Sequence, residues 1–224
     1  MDFVSIFRIF IIKKLIVIMI KLIVFDLMNT LAFKNVNYSV TDTLHEISDL
    51  PISRQKFAKM MERSTEIQKW RSKKSAYKNL CINLGLQPTE SNIKLLLKIK
   101  DRADSKVKLF DFTLKLLKKI RKQGYKIGLI TNNNVFQKKY VQKTSILNFV
   151  DYPLFSHQVG VVKPDLRIFR KMIKISDCKA GDILMIGDSL TDDIIPARKL
   201  GMKTIYFKNI VQLKKNLKSF DIEA

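Results

Sequence analysis

The sequence predicts an α/β fold, a doubly wound parallel sheet carrying an inserted all-helical block. Two observations predict it. Short, continuous apolar runs at residues 22–25, 126–130 and 183–187 read as strands buried on both faces, as in parallel sheets. Between and after these runs lie helical patterns of 10–15 residues, the alternation expected of βαβ units. The three runs end on Asp26, Thr131 and Asp188. Open α/β sheets bind ligands just beyond the carboxyl ends of their strands, so these residues are drawn toward one edge.

The first twenty residues, MDFVSIFRIFIIKKLIVIMI, are strongly apolar but interrupted by Arg8, Lys13 and Lys14. Each such charge near a helix centre costs roughly 2.5–3.5 kcal/mol on insertion scales, and the uninterrupted pieces are too short to span a bilayer. No small-residue cleavage site follows. Residues 1–18 are expected to be an upstream hydrophobic extension, with a packing strand or helix and an interfacial membrane helix as the open alternatives, and the core is expected to begin at Met19. Membrane association through residues 1–20 is not favoured, and a cytoplasmic protein is expected.

After the first strand, residues 29–37 are polar and turn-like. Helical periods follow at 41–50, ended by Pro51, and at 53–70, entered through Ser53. Further helices are expected at 76–84, stopped by Gly85, and at 89–100, behind Pro88. The block 37–104 contains no strand-like run. Then come an amphipathic helix at 111–123 closed by Gly124, the strand YKIGLIT, and a helix around 135–143. A short strand is expected at 153–156, and a helix at 164–175 behind Pro164. The strand DILMIGD, a helix through 194–200 and a last strand at 204–207 complete the pattern.

The chain has 224 residues, enough for one α/β domain with an insertion, and its 46% apolar and 28% charged residues are those of a globular protein. Cys81 and Cys178 lie far apart, which excludes a disulfide framework or a CxxC zinc site. His45 and His157 are isolated and are expected to be packing or surface residues. The net charge of +22 could mark a nucleic-acid partner, but no RNP aromatics, zinc finger or arginine-rich arm accompanies it. Attraction of small anionic substrates is the simpler consequence.

Four segments, VFDLMNTLA at 24–32, LITNN at 129–133, VVKPD at 161–165 and IGDSLTDDI at 186–194, together resemble the haloacid dehalogenase-like hydrolase superfamily. The resemblance implies a Rossmann-like core at 19–36 and 105–224, with a small α-helical cap at 37–104. It also implies a Mg²⁺-dependent hydrolase acting on a small anionic phosphorylated substrate through an aspartyl-phosphate. Asp26 would be the nucleophile, and Thr131 and Asn132 would hold the phosphate. Lys163 would neutralise developing charge. Mg²⁺ would be held by Asp26, the Met28 backbone carbonyl, Asp188 and Asp193 (or Asp192), a set of carboxylates suited to this ion.

The resemblance breaks at Met28. Active phosphatases of the family carry a second aspartate there, which protonates the leaving group and then activates water. Losing a positioned general acid–base typically costs about 10²–10⁴-fold. The remaining alternatives are a slow phosphatase, a catalytically impaired phosphate-ligand binder and a dehalogenase; the last needs no metal, and the acid cluster argues against it. In the cap, Arg54, Arg63, Arg71, Lys73 and Lys74 are candidates to reach an anionic leaving group, although a solvated basic face is the favoured account. Trp70 is expected in the cap core.

Overall fold

The computed structural model describes residues 20–224. The extension expected at 1–18 and the membrane expectation for 1–20 therefore fall outside the described residues, Ile20 excepted. Among the described residues no helix is long and apolar enough to cross a membrane.

Five strands, β1 (Leu22–Phe25), β4 (Lys126–Thr131), β5 (Tyr152–Phe155), β6 (Ile183–Gly187) and β7 (Lys203–Tyr206), form a parallel sheet in the order β5-β4-β1-β6-β7. Alternation along β1 shows how both faces are buried. Ile23 and Phe25 join one cluster with Leu116, Leu117 and Ile120 of α5 (Thr113–Lys122) and Leu213 and Leu217 of α10 (Ile210–Lys218). Leu22 and Val24 point the other way. They pack with Ile168, Phe169 and Met172 of α8 (Leu166–Ser176) and Ala197 of α9 (Ile195–Lys199). Two apolar layers around one sheet account for the uninterrupted hydrophobic runs.

The chain leaves β1 for β4 on one side and returns to β6 on the other. Strand order therefore reverses at β1, and a crevice opens beyond its carboxyl end.

Four helices separate β1 from β4: α1 (Val40–Ser48), α2 (Arg54–Thr65), α3 (Lys73–Asn83) and α4 (Glu90–Asp104). Each begins on a hydroxyl cap, with Ser39, Ser53, Ser72 and Thr89 accepting from the backbone N–H three residues on. They enclose their own cluster around Leu44, Phe57, Tyr77, Leu80 and Leu96, and Trp70 packs against it as expected.

Three expectations change. Residues 29–37 are not only a turn: Ala32–Lys34 forms β2, antiparallel to β3 (Val107–Leu109), which ties together the two ends of the helical insertion. Three-residue strands about 75 positions apart carry too little pattern to be seen in sequence. The periodic stretch 53–70 ends as a helix at Thr65. Ser64 and Thr65 bond back to the Met60 and Met61 carbonyls, and the Trp70 indole donates to the Thr65 carbonyl at 3.0 Å. The helix expected around 135–143 is α6 (Lys138–Gln142), and the short α7 (Ser156–Val159) follows β5 directly.

Candidate active site

Asp26 follows the last residue of β1 at the switch point, and its backbone N–H donates to the Ile186 carbonyl at 2.9 Å. The chain then turns sharply, with the N–H groups of Leu31 and Ala32 both donating to the Leu27 carbonyl. Asn29 takes the left-handed conformation, φ 60°, which asparagine tolerates. This turn brings Thr30 back so that its hydroxyl donates to Asp26 Oδ2 at 3.2 Å. Met28 is half-buried and packs against the apolar cluster on the α5 side of the sheet.

Lys163 reaches the same place from the segment before α8. Lys163 is 4% exposed, and its ammonium donates to Asp26 Oδ1 at 2.5 Å and to Asp193 Oδ1 at 2.6 Å. Asp193 lies on a π-helical turn (Leu190–Ile194) after β6, and its other oxygen accepts from the Ser189 N–H at 3.1 Å. Gly187 makes room for this: a methyl group there would come within 2.6 Å of Asp193 Cβ and overlap the carboxyl group. One carboxylate oxygen from each of Asp26, Asp188 and Asp193 falls within 4.8 Å of the others.

Burial pushes Asp26 up to about 7, with the Lys163 cation opposing and Asp193 reinforcing the rise. Burial and then Asp193 also raise Asp188. Burial works against the Lys163 cation, but Asp193 and Asp26 outweigh it and hold it well above the ordinary lysine value.

Thr131 ends β4 and is buried; Asn132 is next. Asn132 fastens two pieces of the site, its Oδ1 accepting from the Lys163 N–H at 2.8 Å and its Nδ2 donating to Glu62 of α2 at 3.1 Å. His157 supports this loop from behind, its Nδ1 lying 2.7 Å from the Asn133 carbonyl; burial lowers its pKa, in keeping with a packing residue. Asp26, Met28, Thr131, Asn132, Lys163, Asp188, Asp192 and Asp193 all line one cavity of about 280 Å³. Of the two adjacent acids, Asp193 faces Lys163, whereas Asp192 turns outward to Lys59 of α2.

The basic cap residues do not join them. Arg54, Lys73 and Lys74 pair with Asp42, Asp101 and Glu90, Arg71 is exposed, and Arg63 lines other surface grooves. The cavity is completed instead by residues without an assigned role in the sequence, notably Lys34, Glu62, Glu66, Asp104, Asn133 and Gln137. Thr30 was visible within the first segment, but its bond to Asp26 depends on the turn.

A family model described as haloacid dehalogenase-like hydrolase matches residues 23–207. The chain belongs to this family. It is 39% identical over 95 residues to the glyceraldehyde 3-phosphate phosphatase of Pyrococcus abyssi, covering 42% of this chain and 40% of that protein. The chain thus spans less than half the length of this relative. A haloacid dehalogenase-family enzyme of Bacteroides thetaiotaomicron, solved with magnesium and inorganic phosphate, has the same fold. The TM-score is 0.60 and the identity 18%, over 84% of this chain and 94% of that one. The 2-haloacid dehalogenase of Pseudomonas syringae also shares the fold, with TM-score 0.57, 20% identity and coverage of 84% and 86%.

Two outcomes follow from this geometry. Gly187→Ala is expected to drive the Asp193 carboxyl group away from Lys163; a crystal structure of the variant that keeps the 2.6 Å contact would refute the steric role. Burial and then Glu62 push Glu66 up to about 8, and Asp26 stands at about 7. Both carboxyls therefore hold protons in the native protein that the unfolded chain releases near pH 4–4.5. In EDTA, stability measured by urea unfolding should fall as pH rises from 5 to 8, and fall less steeply in Glu66→Gln. A rise over that interval would contradict the assignment.

Proposed function

We propose that the protein is a Mg²⁺-dependent phosphomonoesterase that hydrolyses a small phosphate ester through an aspartyl-phosphate. The observation that carries it is the convergence of Asp26, Thr131, Lys163, Asp188 and Asp193 on one cavity. The phosphatase identity of the Pyrococcus relative supports the same reaction class.

The donor set fits a hard divalent cation. Asp26, Asp188 and Asp193 offer oxygens close enough to share one ion, and Mg²⁺ sites typically combine one or two carboxylates with water and phosphate. The Met28 backbone carbonyl is a further candidate ligand. When bound, the ion neutralises phosphate charge in the ground and transition states.

The chain's own residues supply the rest. An Asp26 oxygen attacks phosphorus in line, forming an O–P bond as the ester P–O bond breaks and the alkoxide leaves, taking its proton from water. Water then cleaves the aspartyl-phosphate and releases phosphate. Lys163 fixes the Asp26 carboxylate and offsets charge gathering on the phosphoryl oxygens, while Thr131 and Asn132 hold those oxygens. A carboxylate is a weak nucleophile, so alignment and charge neutralisation carry the acceleration.

Met28 limits the rate. Its side chain has no proton to donate to the departing alkoxide and cannot activate water, which favours slow turnover of esters with poor leaving groups. The same residue favours a second account, a binder of phosphate ligands without turnover. The three-carboxylate cluster disfavours dehalogenation, which needs no metal.

Asp26→Asn is expected to abolish Mg²⁺-dependent release of p-nitrophenol from p-nitrophenyl phosphate; retained activity would show that another group attacks phosphorus. Met28→Asp is expected to raise turnover of alkyl phosphates by ~10-fold or more, from restored general acid–base help. Calorimetric binding of phosphate esters with no product after hours would favour the binder.

A further inference from the structure

The departing alkoxide needs a proton that Met28 cannot give, and bulk water, with a pKa of about 15.7, is a poor acid. Most carboxyl groups lining the cavity are committed elsewhere. Asp26, Asp188 and Asp193 form the cluster that suits a cation. Asp192 pairs with Lys59, and Asp104 pairs with Lys34 at 2.6 Å. Glu62 accepts from Lys59 and from Asn132, both at 3.1 Å. Glu66 differs from all of these. It is 6% exposed, yet among the described residues its carboxyl group makes no hydrogen bond or ion pair, and only its backbone carbonyl is bonded. A buried carboxyl without partners favours its neutral form.

Its position meets the demand of the reaction. Glu66 caps the C-terminal end of α2, one turn beyond Glu62, so it belongs to the helical insertion, whereas Asp26 stands at the carboxyl edge of the sheet. In-line displacement sends the leaving oxygen away from the nucleophile, toward the wall that the insertion supplies. Two contacts fix that wall beside the phosphate-holding loop after β4. Glu62 bonds Asn132, and the Ser156 hydroxyl donates to the Glu66 carbonyl at 2.8 Å while accepting from the Asn133 N–H at 2.9 Å.

The groups around Glu66 come from four elements: Glu62 on its own helix, Asp104 and Lys100 of α4, Lys34 of β2 and Tyr77 of α3. Burial and then Glu62 push its pKa up to about 8, against the Lys100 and Lys34 cations, and Asp104 adds to the rise. Lys34 is engaged by Asp104, and Lys100, itself 5% exposed, forms no ion pair with Glu66 among the described residues. At pH 7 Glu66 is therefore mostly a neutral acid, and an acid with a pKa near the working pH transfers its proton best.

We propose that Glu66 is the general acid of the reaction, protonating the departing alkoxide in place of the aspartate that Met28 replaces. As the ester P–O bond breaks, the alkoxide oxygen takes the Glu66 proton, leaving the free alcohol and the Glu66 carboxylate, which regains a proton from solvent. The proton thus comes from the chain rather than directly from water. The inference rests on the phosphomonoesterase function above.

Single turnovers of the full chain with Mg²⁺, enzyme in excess, test it on two esters. Propyl phosphate releases an alkoxide that needs a proton, and p-nitrophenyl phosphate releases a stable phenolate that does not. Glu66→Gln, which keeps the size of the side chain but removes the acid, should slow propanol release ~100-fold or more, and slow p-nitrophenol release by a factor at least ~10-fold smaller. In the unchanged protein kcat/KM for propyl phosphate should fall as pH rises through about 8, since only protonated Glu66 donates, and this fall should be absent for p-nitrophenyl phosphate. Equal slowing of both esters in Glu66→Gln, hydrolysis of p-nitrophenyl phosphate alone, or propyl phosphate turnover that holds steady above pH 8 would overturn the acid role alone. No Mg²⁺-dependent hydrolysis of either ester by the unchanged protein would overturn the phosphomonoesterase function, and the acid role with it.

Discussion

A single buried ammonium, that of Lys163, stands between the carboxylates of Asp26 and Asp193, and the geometry of the site depends on it. The two acids follow β1 and β6, neighbours in the sheet, and without a cation they would repel each other in a medium that screens poorly. Removing one partner of a buried ion pair typically costs about 3–5 kcal/mol because the other charge is left uncompensated. Lys163 is itself held in place, since its backbone N–H donates to Asn132 Oδ1. The loop after β4, the segment before α8 and the ends of β1 and β6 are thereby locked to one another. The turn that returns Thr30 to Asp26 and the absence of a side chain at Gly187 serve the same contact.

What the sequence made legible follows from the range of each interaction. A strand buried on both faces must be apolar throughout, so β1, β4 and β6 stood out, and each pointed to the residue after it or at its end. Asp26, Thr131 and Asp188 could be brought together on that ground alone. Asp192 and Asp193 could not be told apart. A π-helical turn aims one at Lys163 and the other at Lys59, and neighbouring acids carry no mark of which way a turn will face. Lys34 and Asp104, some seventy residues apart, look like solvated charges until β2 and β3 bring them to 2.6 Å. The basic residues of the cap stay outside the cavity, in line with the solvated face favoured for them. Arg54, Lys73 and Lys74 have acids close by on the cap's own helices and pair with them outside the cavity.

The helical insertion reaches the site through α2. Glu62 and Lys59, one turn apart on that helix, contact Asn132 and Asp192, each one residue from a group at the centre. Lys59 also bonds Glu62 at 3.1 Å, so Asp192, Glu62 and Asn132 are linked in one chain of contacts through Lys59. A shift of α2 would be felt at Asn132, and through it at the Lys163 backbone. The insertion therefore does more than cover the sheet, because its position is coupled to the placement of the central cation.

Charge shows why the acidic end of the cavity needs more than its own residues. Over the whole chain the balance is +22, a surplus that draws anions from a distance but is screened beyond about 8–10 Å at physiological salt. Inside the cavity the sign reverses, with Asp26, Asp188 and Asp193 facing one lysine. Left alone, that excess is relieved by protonation, which is the direction in which Asp26 and Asp188 move. A protonated Asp26 cannot attack phosphorus, and an ionised cluster would turn away a phosphate dianion. Both obstacles are lifted by two added positive charges placed among the three carboxylates. The acidity of the floor is thus the physical argument for a divalent cation in the proposed reaction, and it holds whether or not Met28 slows the later proton transfers.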